Sequence, residues 1–153
     1  MKAPNDLPLP DAILFQAIET FVERGYDKAS MDEVAARAGT TKRTVYAHHG
    51  SKEELFRSAL ARAVERFLGD LPPLADTSDP AGELETFAVQ FNQLCTWQGA
   101  VRLPRVVMVE AERFPDLAAL LHREVIRRVE RMVAVYLTAL RTGQTAAPGG
   151  TED

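Results

Sequence analysis

Four cations, Arg37, Lys42, Arg43 and Lys52, stand in a stretch that holds no acidic residue, inside a chain of 153 residues with formal net charge -4. A local positive window in an acidic chain is the footprint of phosphate contact, because each Lys or Arg that neutralises a phosphate releases condensed counterions. Arginine also reads sequence: its guanidinium bonds bidentately to one edge of guanine, worth about 1–3 kcal/mol of discrimination. Among the cations lies Tyr46, whose hydroxyl suits phosphate oxygens. The competing reading is a solvated charged face on a plain helical hairpin, a protein-interaction module that binds no DNA.

Such residues need rigid elements to hold them, and the local signals supply two. Ser30 followed by Glu33 is a capping box that starts a helix, and Met31, Val34, Ala35 and Ala38 line one face of it. Gly39 stops that helix, since glycine takes the left-handed conformation at little cost. Thr40 or Thr41 caps a second short helix ending near Tyr46, with Val45 as its buried anchor. Two short helices about a glycine-containing turn make a helix-turn-helix, whose second helix fits the DNA major groove.

Little else in the chain suggests chemistry. His48 and His49 are adjacent and His122 is distant, so no metal-ligand spacing appears. No phosphate-binding glycine loop, nucleophile elbow or motif-placed carboxylate pair is present, which argues against an enzyme and against a cofactor. The single cysteine, Cys95, forms no internal disulfide and suits a reducing, cytoplasmic setting, either as a small buried hydrophobe or as a redox-sensing thiol. No apolar run approaches the roughly 18 residues of a membrane span, and no signal pattern opens the chain.

With 46% hydrophobic residues, 26% charged ones and no long alternating β-branched runs, the chain reads as all-α. Residues 1–10, with three prolines, form a loose arm. A helix runs from Asp11 to Arg24 and closes at Gly25. After the helix-turn-helix, Ser51 and Glu54 make a second capping box for a helix ending near Gly69. Residues 70–82, rich in Pro and small polar residues, mark a linker between residues 11–69 and 83–141. A helix over Glu83 to Trp97 turns Leu84, Phe87, Phe91, Leu94 and Cys95 inward. Gly99 and Pro104 bracket a short break. The next helix, Arg105 to Arg113, is apolar nearly all round and so should be central. The longest helix, Asp116 to Arg141, carries a continuous apolar stripe that suggests packing against a second subunit. Residues 142–153 read as a disordered tail.

From Phe21 to Phe56 the sequence resembles the TetR/AcrR family of bacterial transcriptional repressors. The resemblance is carried by Phe21-Val-Glu-Arg-Gly25-Tyr26, Ser30-Met31, Val34-Ala35, Ala38-Gly39, Lys42, Thr44-Val45-Tyr46, His48 and Ser51-Lys52-Glu-Glu-Leu55-Phe56. Val109-Glu-Ala-Glu-Arg-Phe114-Pro115-Asp-Leu117 resembles a subset of the family's C-terminal domains. The resemblance implies a three-helix DNA-binding domain, a connecting fourth helix, and a helical ligand-binding and dimerisation domain. It places Thr41, Lys42, Arg43 and Thr44 at the start of the recognition helix as base or phosphate contacts, and Tyr46, His48 and Lys52 as backbone clamps. It also implies a C-terminal pocket for an unidentified small molecule, with Phe87, Phe91, Trp97, Met108 and Glu110 as candidates. For Glu110 the alternative is a core pairing with Arg102, Arg105 or Arg127, since a carboxylate is costly to bury alone.

Several positions depart from the family pattern. His49 stands where a packing phenylalanine is usual, Ala47 where an aromatic is frequent, and Pro10 where the arm is often basic. Family members usually carry one or two helices after the long one. Here the long helix leads into a Gly/Pro tail, as in a truncated chain or a short member with a reduced dimer interface. The expectation is a homodimer on double-stranded DNA at a palindromic operator, released by a small-molecule effector.

Overall fold

The computed structural model describes residues 7–96 and 98–143, the side chains of 98–100 excepted. Among the described residues the fold is all-α: α1 (Leu9–Lys28), α2 (Met31–Arg37), α3 (Lys42–His49), α4 (Lys52–Gly69), α5 (Pro80–Thr96), α6 (Gln98–Val109) and α7 (Pro115–Thr142). The first four make a compact frame in which α1 packs along α4, and α2 and α3 pack on each other.

The caps fall where the local signals put them. Ser30 Oγ accepts the Glu33 N–H at 3.1 Å, and Ser51 Oγ accepts that of Glu54 at 3.1 Å. Thr41, rather than Thr40, caps α3, its hydroxyl accepting the Thr44 N–H at 3.2 Å. The reciprocal half of the first capping box is replaced: the Glu33 carboxylate takes Arg24 at 3.2 Å and Arg37 at 3.0 Å instead. Gly39, with φ 66°, makes the turn between α2 and α3.

Several boundaries differ from the predicted ones. Helix α1 begins at Leu9, so the expected arm gives up residues 9 and 10, because proline is at home in a first helical turn. Gly25 interrupts it as expected, but one more turn follows, through Lys28. Helix α3 passes Tyr46 and reaches His49, stopped by Gly50 with φ 64°. Helix α6 runs through Pro104 where a break was expected, at the loss of one backbone hydrogen bond. It is also not central on all sides. Val106 and Val107 are buried, while Met108 and Val109 are 72% and 74% exposed. Thr142, assigned to the tail, closes α7, and Gly143 caps it.

The main hydrophobic cluster joins Ile13, Phe21, Tyr26, Val34, Val45, Phe56 and Leu60 of the first four helices to Val107, Phe114 and Leu117. A smaller cluster holds Leu74, Phe87, Tyr136 and Ala139. Of residues 70–82, expected as a linker, the last three open α5 and the rest are tied down. Glu83 Oε1 accepts the N–H groups of Ala75 (2.8 Å) and Asp76 (3.1 Å), and the buried Tyr136 hydroxyl donates to the Asp76 carbonyl at 2.6 Å.

Candidate nucleic-acid interface

Helix α3 is held by what it buries. Val45 is 0% exposed, and burying a valine contributes about 1.5–3 kcal/mol, so the rotation of α3 on its frame is fixed. The opposite face is then set by helical geometry. Lys42 and Tyr46 form one outward row and Arg43 and Ala47 the next, each pair separated by one turn. Tyr46 is 43% exposed despite its aromatic ring. His48 is exposed beside them, and Thr41 and Thr44 lie at the N-terminal end with their hydroxyls 2.9 Å apart.

The four cations of the acid-free window play four different parts. Arg37 is spent on the fold, pairing with Glu23 of α1 at 2.6 Å and Glu33 at 3.0 Å. Its hydrogen bond holds the Glu23 carboxyl below the usual carboxylate range. Lys42 pairs with Asp32 at 2.7 Å, and that hydrogen bond raises its pKa. Lys52 donates to the Asp27 carbonyl at 3.0 Å and sits 4.7 Å from the centre of the Tyr26 ring. Burial pushes its pKa down. Arg43 makes no hydrogen bond or ion pair among the described residues, so its whole donor fork stays available. The partners of Arg37, Lys42 and Lys52 on other helices lie ten or more residues away in the sequence, so local spacing carries no mark of them.

His49 lies i+4 from Val45 on the inner side of α3. Its Nε2 is buried with no hydrogen-bond partner among the described residues, and burial, then His48, lowers its pKa. A phenylalanine there would leave no such atom.

The C-terminal candidates do not converge. Phe87 and Phe91 stack at 5.9 Å with planes 3° apart, on the smaller core cluster. Met108 instead lines a shallow apolar depression with Cys95, Val101 and Pro104. Glu110 lines a groove of about 420 Å³ between the end of α1 and α6, with Arg24, Tyr26, Arg102 and Arg105. Trp97 lies outside the described residues. The expected pairing of Glu110 with Arg102, Arg105 or Arg127 is not made: Glu110 has no ion pair among the described residues. Burial raises the pKa of the Cys95 thiol, which makes it less nucleophilic rather than more. No group of three His, Cys, Asp or Glu side chains comes together as a metal site among the described residues. No described helix is long and apolar enough to cross a membrane.

Comparison with known proteins agrees with this geometry. The model described as bacterial regulatory proteins, tetR family, matches residues 13–59, and that of the AefR-like transcriptional repressor C-terminal domain matches residues 82–144. The chain belongs to the TetR family of transcriptional regulators. It is 44% identical over 68 residues, 44% of its own length and 31% of the relative's, to the HTH-type transcriptional activator FasR of Mycolicibacterium smegmatis. To the HTH-type transcriptional regulator TcmR of Streptomyces glaucescens it is 29% identical over 88% of this chain and 53% of that one. The chain thus spans about half, or less, of these two curated relatives. The solved structure of the flavonoid-responsive regulator FrrA matches with TM-score 0.72 and 32% identity, over 88% of this chain and 69% of the other.

Proposed function

We propose that this chain represses transcription as a homodimer that binds a palindromic operator through α3 and is released by a small-molecule effector. Residues 11–69 form the DNA-binding part and residues 83–141 the effector-binding and dimerisation part. The observation that carries the reading is the outward face of α3, where Arg43, without an ion pair among the described residues, stands beside Lys42 and an exposed Tyr46 on a helix locked by Val45. Arg43 reads bases, with Thr41, Lys42 and Thr44 beside it, while Tyr46, His48 and Lys52 grip the backbone. Dimerisation is supported by α7, which leaves Ile126, Val135 and Leu137 exposed while it buries Tyr136. A twofold pair of recognition helices lies about 34–36 Å apart on one face of the duplex.

Selection of duplexes from a random pool by the full chain tests this. Enrichment of an inverted repeat, with half-site centres about one helical turn apart, is the expected result. Recovery of no common sequence overturns it.

The effector enters the C-terminal part with the stacked Phe87–Phe91 pair as an aromatic wall, and Met108, Glu110 and Trp97 are candidates for alternative entries, since Met108 and Glu110 line separate surfaces. Similarity to a flavonoid-responsive regulator supports a planar aromatic ligand. Such a ligand acts only if it binds the DNA-competent and released conformers unequally. A flavonoid that lowers affinity for the selected duplex supports this half of the reading. Unchanged affinity with a panel of planar aromatic compounds overturns it, without touching the DNA-binding half.

A further inference from the structure

The two parts of the chain meet on Tyr26. Its buried ring stacks on Phe21 at 5.8 Å and meets the edges of Phe56 at 5.2 Å and Phe114 at 4.9 Å. Phe114 arrives from the turn between α6 and α7 and is 2% exposed, so it plugs into the DNA-binding frame. Two cations approach the same tyrosine ring. Lys52 Nζ lies 4.7 Å from its centre, and the Arg113 guanidinium carbon lies 4.6 Å from it. The neighbouring Asp27 serves both: its carbonyl accepts from Lys52 at 3.0 Å and its carboxylate from Arg113 at 3.0 Å.

This division of acceptors has a consequence for Lys52. A carbonyl occupies one of the three ammonium donors and leaves two for a phosphate. A carboxylate carries a full charge where a carbonyl carries only a dipole, so it attracts an ammonium more strongly. While Arg113 occupies the Asp27 carboxylate, Lys52 keeps the weaker partner. Without Arg113, the exposed carboxylate of the residue that holds Lys52 is left unneutralised and adds a negative charge where phosphate must approach.

We infer that Arg113 is a positioning residue for Lys52: by neutralising Asp27 it keeps the Lys52 ammonium available to DNA phosphate, and it does so from the turn joining α6 to α7. A shift of that turn changes the phosphate grip without altering α3. The inference deepens the proposed function and rests on the assignment of Lys52 to phosphate.

The test is a salt-titrated anisotropy measurement of the full chain on a fluorescent mixed-sequence duplex, with a double-mutant cycle. Lys52→Ala should weaken binding and reduce the salt slope by about one phosphate contact. Arg113→Ala should weaken binding about threefold to tenfold in the parent chain, and by less than about twofold once Lys52 is Ala. Asp27→Asn added to Arg113→Ala should restore affinity, which repair of a merely structural defect would not do. Equal losses from Arg113→Ala in both backgrounds overturn the inference, as does no loss where Lys52→Ala weakens binding. If Lys52→Ala itself leaves affinity and slope unchanged, the phosphate assignment fails and the inference with it.

Discussion

The Lys42 ammonium, at the first residue of α3, lies 2.7 Å from the Asp32 carboxylate on α2. Both side chains are exposed, so the pair links the two helices of the helix-turn-helix at the surface proposed to face DNA. It places an acid beside a proposed DNA contact. Asp32→Asn should therefore raise affinity for a mixed-sequence duplex by about twofold to fivefold, most clearly at low salt, where surface charges are least screened. Fluorescence anisotropy at two salt concentrations checks this; lower affinity in the variant would show that Asp32 orients Lys42 rather than competing for it.

Arg43 and Lys52 should separate by kind of effect. Arg43→Ala should relax sequence preference at one base pair of each half-site, costing about 1–3 kcal/mol on the selected duplex and much less on others. Lys52→Ala should weaken binding to all duplexes about equally. Competition between the selected duplex and a scrambled one measures both, and equal effects of the two variants would contradict the assignment.

His49 gives a pH prediction. Burial lowers its folded pKa below the unfolded value near 6.5, so the folded state favours the neutral ring. Its stabilising contribution is present above about pH 6.5 and is lost as pH falls through the folded pKa, where the unfolded chain binds the extra proton. Thermal unfolding between about pH 7.5 and 5 should show a falling midpoint that flattens in His49→Phe. The same fall in both proteins would assign the dependence elsewhere. The variant should also be the more stable at neutral pH, since it removes the unpartnered Nε2.

Phe114 should matter to stability out of proportion to its place in a turn. It is 2% exposed against Tyr26 and Phe56, so Phe114→Ala should cost about 3–5 kcal/mol in urea unfolding. Ser51→Ala, which removes only the cap of α4, should cost about 1 kcal/mol. A loss under about 1 kcal/mol for Phe114→Ala would mean the two parts of the chain do not share a core.

What was legible in the sequence was local. Ser30 and Ser51 declare two helix starts, and Thr40 or Thr41 a third, because a cap and its target amide lie three residues apart. Val45 declares its burial because it is the one aliphatic side chain larger than alanine on a short helix. The end of α3 was misplaced because the signal for it, Gly50, sits beyond two histidines of weak preference. The exposure of Met108 and Val109 was misjudged because composition cannot say how many sides of α6 are covered. The Tyr26–Phe114 contact and the partners of Arg37, Lys42 and Lys52 join distant positions, and only the folded chain reveals them.

The central claim is that the outer face of α3 meets duplex DNA. Titrating the isotopically labelled chain with the selected duplex, and following each backbone amide by NMR, tests it most directly. The largest shifts should fall on Thr41 to His48 and on the first turn of α4 at Lys52. Shifts concentrated on α5 or α7, with α3 unmoved, would contradict the claim.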